Sequence, residues 1–389
     1  MTGRDLDPRE LVMDVRLLAW EPSTGWSAPL PGELDGSSTL VLAFGSPSQE
    51  VAAARLAELA AALPQAHLAG CSTAGEILDR RVAEGGISVA VARFTHTTLR
   101  QTEAAVVAPT DSRQAGRRLA EVLAGPGLRG VLVLSDGLVV NGTELLNGVK
   151  QVLPAEVVVT GGLAGDGDRF AATWVVAQGR PTAGLVSAIG LYGDRIRVGH
   201  GSRGGWDSFG VERQVTRSAG NVVFELDGEP ALGLYKRYLG ERAAGLPATA
   251  LLFPLALCGD DGGGLVRTVL AVDEATQSMT FAGDVPQGGR VQLMRANFDR
   301  LVEGAAAAGR LARRGQDRAG GCLAVAISCV GRRLVLGERT EEEVEAVLDS
   351  LPPSSSLVGF YSYGEISPSA TGSCELHNQT MTLTTLVEA

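Results

Sequence analysis

GCSTAGEI (residues 70–77) and GFYSYGEI (residues 359–366) share one spacing: a glycine followed five positions later by Gly-Glu-Ile, with Thr73 or Ser362 two places before the second glycine. The flanks agree as well. Before the first copy, TLVLAF (39–44) is a continuous apolar run, the pattern of a strand covered on both faces. Ser46-Pro47-Ser48 then supplies an N-cap turn, EVAAARLAELAAAL (50–63) reads as a helix, Pro64 stops it, and GISVAVARF (86–94) follows as a strand. Before the second copy come the strand CLAVAISC (322–329), a helix over 341–351 and the breaker Pro352-Pro353, and a final strand is expected over 375–386. Agreement of a signature and its flanking elements predicts a duplicated unit.

A looser third copy lies between them. Residues 130–134 read as a strand ending in Ser135-Asp136-Gly137, 142–153 as a helix, and 157–160 as a strand entering Gly161-Gly162-Leu163-Ala164-Gly165-Asp166. Antiparallel runs follow at 172–177 and 185–191, the first turned by Gln178-Gly179-Arg180, and residues 15–20 suit an edge strand. The expected fold class is α/β: two related halves built from repeated strand-helix-strand modules with mixed, partly antiparallel sheets. The expected division is an extension over 1–35, a first domain over 36–220 and a second over 221–386, the latter opening with a strand, the Asp227-Gly228 turn and a helix begun by Pro230. Gly75-Glu76, Gly165-Asp166 and Gly364-Glu365 become candidate equivalent loops at carboxyl ends of strands, where open α/β sheets bind ligands. The simpler alternative is that the glycines permit a tight path and the carboxylates cap turns.

Bulk composition narrows the function classes. At 389 residues the chain exceeds the size of one ordinary core, and 45% hydrophobic with 20% charged residues is a folded, globular balance. Lys plus Arg number 34 against 44 acids, a net charge of -10, so no nucleic-acid footprint is expected; Arg310, Arg313, Arg314 and Arg318 read as a solvated helix flank. MTGRDLDPRE lacks an apolar core for secretion, and no window of about 18 apolar residues predicts membrane insertion. Five cysteines without a close pair fit buried free thiols in a reducing compartment, so the expected location is cytoplasmic.

Gly161-Gly162-Leu163-Ala164-Gly165 matches neither the dinucleotide nor the P-loop fingerprint, and GDDGGG (259–264) reads as a hairpin loop. A hydrolase would use Ser72, Ser135 or Cys71 with His200 or His377 as base, but no GxSxG elbow is present and no catalytic residue is assigned. His67, His96, His200 and His377 are too scattered for a zinc site. Residues 194–220, with His200, Trp206 and Phe209 among glycines, are expected to form a loop able to cover a pocket; a haem needs one axial histidine, and the glycines around His200 leave room for it. Tyr361, Tyr363, Glu365, His377, Asn378 and Gln379 concentrate rings, amides and a carboxyl in one region, a mixture suited to a small polar ligand or to a buried network holding the terminal strand, with His377 tying in Glu365. The candidate ligand-binding set is Cys71, Ser72, Thr73, Glu76, Ser135, Asp136, Asp166, Trp206, Tyr361, Ser362, Tyr363, Glu365, His377 and Asn378, with His200 as metal ligand only if haem is bound.

GCSTAGEI (70–77), ELDGEPALGLYKRYLG (225–240), GFYSYGEISP (359–368) and CELHNQTMTLTTL (374–386) resemble the paired N- and C-terminal halves of the FIST sensory proteins over roughly residues 36–386. The resemblance implies an intracellular signal-transduction input module, not an enzyme, that binds small ligands such as amino acids. It also implies partners of the kind such modules are encoded beside or fused to: histidine kinases, cyclic-dinucleotide enzymes or chemotaxis receptors. With no output domain recognised here, the signal is expected to pass to a separate protein. One branch of that family binds haem and senses nitric oxide, which makes haem b and nitric-oxide sensing the alternative expectation.

Overall fold

The computed structural model describes residues 13–246, 248–258, 265–314, 322–369 and 372–389. The expected GDDGGG hairpin loop and Arg318 lie outside the described residues. Three sheets are built to one plan. In each, two parallel strands joined through a helix form the centre: Thr39–Gly45 with His67–Ser72, Leu128–Ser135 with Val158–Leu163, and Leu323–Cys329 with Ser356–Ser362. The joining helices are Gln49–Ala62, Gly142–Lys150 and Thr340–Asp349. An antiparallel strand flanks each pair, Ile87–Phe94, Leu185–Tyr192 or Met381–Glu388, and beyond it lies Met13–Glu21, Thr98–Ala105 or Ile196–Arg203. The α/β class and the repeated modules in both halves are therefore present, and the looser central copy is a full module.

The modules are interlocked. After its second parallel strand, each module sends a short hairpin to the sheet of another: Glu76–Leu78 pairs with Ser356–Ser362, Gly364–Pro368 pairs with Val158–Leu163, and Val175–Ala177 reaches His67–Ser72. The first and last parts of the chain thus share sheets. The crossing loops hydrogen-bond in a closed ring, Ala74 N to Tyr361 O at 2.8 Å, Tyr363 N to Leu163 O at 3.2 Å and Gly165 N to Ser72 O at 3.0 Å. The first glycine of the signature has a packing cause. A Cβ on Gly70, Gly161 or Gly359 would overlap the carbonyl of Ala43, Val133 or Ala326 on the adjacent parallel strand, so only glycine allows these strands to approach.

Inner sheet faces meet in a common apolar centre that includes Phe44, Leu132, Ile327 and Phe360, with the Phe44 and Phe360 rings 4.7 Å apart. Helices cover the outer faces: Leu56 and Leu59 of the first pack with Val41 and Val89, and Leu145 and Val149 of the second pack with Leu119 and Leu123 of helix Ser112–Leu123. Module three differs by an insertion, an antiparallel sheet running from Asp207 to Arg295 with its own core around Val215, Tyr235 and Phe281. Residue 220 lies in the turn between its strands Arg213–Ala219 and Val222–Leu226. The Asp227-Gly228 turn leads to helix Ala231–Leu239 with Pro230 as its N-cap.

Three expectations are corrected. Residues 196–203 form a strand, not a pocket-covering loop, because alternation of Ile196, Val198 and His200 with Gly199 and Gly201 suits pairing with Met381–Glu388. The expected strand over 375–386 is two strands, Cys374–His377 and Met381–Glu388, in different sheets. The runs near 172–177 and 185–191 likewise separate: Val175–Ala177 turns through Gln178 and Gly179 onto Arg180–Thr182, while Leu185–Tyr192 joins its own module.

Candidate functional site

The ring of crossing loops brings Ser72, Thr73, Leu163, Tyr361 and Tyr363 together at the carboxyl ends of the parallel strands, and the three loops are chemically unequal. In module one, Thr73 Oγ1 donates to Glu76 Oε1 at 2.7 Å, while Glu76 Oε2 is buried with no partner among the described residues. In module three, Ser362 Oγ donates to Glu365 Oε1 at 2.8 Å, and Thr380 Oγ1 donates to Oε2 at 2.9 Å. Burial pushes the Glu76 carboxyl up to about 7 and the Glu365 carboxyl up to about 8, so Glu365 is mostly protonated at neutral pH.

The central loop departs from the expected equivalence. Counted from Gly70, Gly161 and Gly359, Asp166 matches Gly75 and Gly364 in place, not the two glutamates. Its carboxylate accepts from the N–H groups of Phe170, Ala171 and Ala172, each at 2.9 Å, and from the Tyr363 hydroxyl. Asp136 is similarly spent, accepting from Leu138, Val139 and Gly184 N–H groups at 2.8 to 3.0 Å. Both carboxylates hold the backbone of the loops that follow them.

The nucleophile candidates are also engaged. Ser72 Oγ accepts from Trp174 N at 3.1 Å, Ser135 Oγ donates to the Asp136 carbonyl at 3.0 Å, and burial pushes the Cys71 thiol far above its ordinary range, which keeps it unreactive. His377 does not tie in Glu365. Its Nε2 lies 3.0 Å from the Ser367 carbonyl, and burial lowers its pKa to about 4, leaving it neutral. His200 faces inward from its strand, and burial lowers its pKa too. The neighbouring Gly201 points to the opposite face of the strand, where a Cβ would overlap the Ala308 carbonyl, so helix Phe298–Ala312 closes that face. Among the described residues no cluster of three or more His, Cys, Asp or Glu is arranged to hold a metal.

The remaining candidates converge on the turn after His377. Asn378 and Gln379 are both fully buried, and neither the oxygen nor the nitrogen of either amide has a partner among the described residues. An unmet buried polar atom costs about 1–3 kcal/mol, so four in one turn require an explanation. Trp206 Nε1 donates to the Gln379 carbonyl at 2.9 Å, and Arg267 of the inserted sheet donates to the Leu376 carbonyl at 3.0 Å. Tyr361 donates to Glu343 at 2.7 Å, and Glu343 pairs with fully buried Arg332, whose guanidinium also donates to the carbonyls of Gly204 and Leu301. The turn is thereby bolted to the insertion from several sides. Sequence reading missed Arg332, Glu343 and Thr380: one of the two arginines in VGRRLVL and a Glu in TEEEV look like solvent-facing helix residues until the helices are packed.

This site is closed. Two open grooves, about 820 and 720 Å3, lie elsewhere, between helix Gln49–Ala62 and the hairpin tip at Gln178–Pro181, and between Leu348–Ser355 and the hairpin tip at Leu78–Arg81. The FIST N domain matches residues 39–229 and the FIST C domain matches residues 231–368, so the chain belongs to the FIST family, whose domains are sensory signal-transduction domains rather than catalytic ones. No curated protein matches the chain. No described helix is long and apolar enough to cross a membrane.

Proposed function

We propose that this chain is a cytoplasmic sensor that binds a small polar ligand of amino-acid size at the module-three loop and passes its occupancy to a separate partner protein of the histidine-kinase, cyclic-dinucleotide or chemotaxis-receptor kind. The observation that carries the reading is the unpartnered amide of Asn378, fully buried beside the Ser362–Glu365 loop. Asn378 and Glu365 supply donors and acceptors, and Ser362 and Thr380 hold the Glu365 carboxyl in position. Because the turn is tied to the insertion through Trp206 and Arg267, a ligand that binds the open and closed arrangements unequally shifts the balance between them, and a partner docked on the insertion reads the shift. Thermal unfolding of the full chain against a panel of polar metabolites tests this. A ligand that raises Tm in wild type but not in Asn378→Leu supports the reading; absence of any shift across the panel overturns it.

A further inference from the structure

The three hairpins that pass between modules end in the same backbone conformation. Two residues beyond the last residue of each returning strand, which is Ala83, Thr182 or His377, the chain takes a left-handed φ: +80° at Gly85, +62° at Gly184 and +63° at Gln379. Glycine holds that conformation without strain, whereas glutamine does not. Gln379 is also fully buried, has both side-chain polar atoms unpartnered among the described residues, and lies against Gly331, where any Cβ would overlap its amide. Module three thus breaks a rule that its sister modules keep, clears space on a neighbouring helix for the result, and repeats the unmet amide at Asn378.

The surroundings narrow the chemistry. Charged side chains next to the turn are already consumed, Arg332 by Glu343, while His377 is neutral and the Cys329 thiol, pushed up to about 12 by burial, is not a thiolate. Two carboxamides in such a setting match a group that carries a donor and an acceptor side by side without charge. We infer that Gln379 and Asn378 read the amide edge of an uncharged ligand, an N–H beside a C=O as in a primary amide, a lactam or a cyclic dipeptide. This rests on the sensor reading above and specifies what its site selects.

The test is thermal unfolding and titration calorimetry on the full chain with matched pairs: nicotinamide against nicotinate, and cyclic diglycine against linear diglycine. The expected result is stabilisation by the neutral member of a pair only. Gln379→Gly, which restores the residue of the sister modules, is expected to raise the ligand-free Tm by about 2 °C and to weaken amide binding roughly tenfold or more. Asn378→Leu, which removes the neighbouring amide at similar volume, is expected to weaken binding as well. A fall in ligand-free Tm on Gln379→Gly overturns the inference, because the glutamine would then be a structural residue. Stabilisation only by the charged members overturns it while leaving the sensor reading intact, and no response to either kind counts against both.

Discussion

Glu76 and Glu365 occupy the same place in two copies of one loop, yet the loops have been furnished for different ends. The module-one carboxyl is buried, takes a bond from Thr73 at one oxygen and leaves the other unpartnered among the described residues. The module-three carboxyl takes bonds from Ser362 and Thr380, and the adjoining turn carries Asn378 and Gln379, whose amides are unmet. Arg332 and Arg333 stand next to one another in one short helix and divide between the two loops. Arg332 is buried with Glu343 behind module three, while Arg333 bonds Ala74 O and the exposed Glu84 at module one. Repetition supplies the scaffold, and substitution at a few equivalent positions gives each copy its own set of buried polar groups.

The largest effect that would sharpen this contrast is expected from the paired arginines. Arg332→Ala leaves Glu343 buried without its counter-charge and should cost about 3–5 kcal/mol in urea unfolding, whereas Arg333→Ala, which leaves behind only the exposed Glu84 carboxylate, should cost less, about 1–2 kcal/mol. Equal losses would break the comparison.

A smaller effect separates the two carboxyls by pH. Each folded-state pKa lies above the ordinary value of 4.5, at about 7 for Glu76 and about 8 for Glu365. The neutral form is therefore favoured on folding, so the stabilisation is complete below 4.5 and is lost as pH rises through the folded value. Glu365→Gln should remove a decline in stability that extends to about pH 8, on the order of a few kcal/mol, and Glu76→Gln a shallower one that ends near pH 7. Melting curves across that range decide it, and a wild-type profile matching both variants would show that neither carboxyl titrates as described.

The smallest expected effect concerns the hairpin ends. Gly85 holds a left-handed φ of +80° with open space around it, so Gly85→Ala should destabilise by about 1 kcal/mol through backbone strain alone. A neutral result would mean that a side chain is tolerated there without strain, and Gln379 would lose its exceptional status.

Much of this was legible in the residues themselves. The apolar runs at 39–44 and 322–329, the proline stops after each helix and the repeated Gly-Glu-Ile spacing specify local elements, because hydrophobic periodicity and chain stiffness act over a few residues. They marked Thr73, Glu76, Ser362 and Glu365 as one kind of place, and the structure puts all four in the crossing loops. The split of residues 374–388 into strands of two sheets, the exchange of hairpins among modules and the burial of Arg332 had no local signal. Gly201 shows why: a Gly-His-Gly run looks open along the chain, and only the helix packed across Gly201 makes that glycine a close approach. Sequence alone determined the repeated module and the residue types at its loops; tertiary structure decided which polar groups in each copy are met, because hydrogen-bond satisfaction and desolvation depend on neighbours that the chain brings together from hundreds of residues apart.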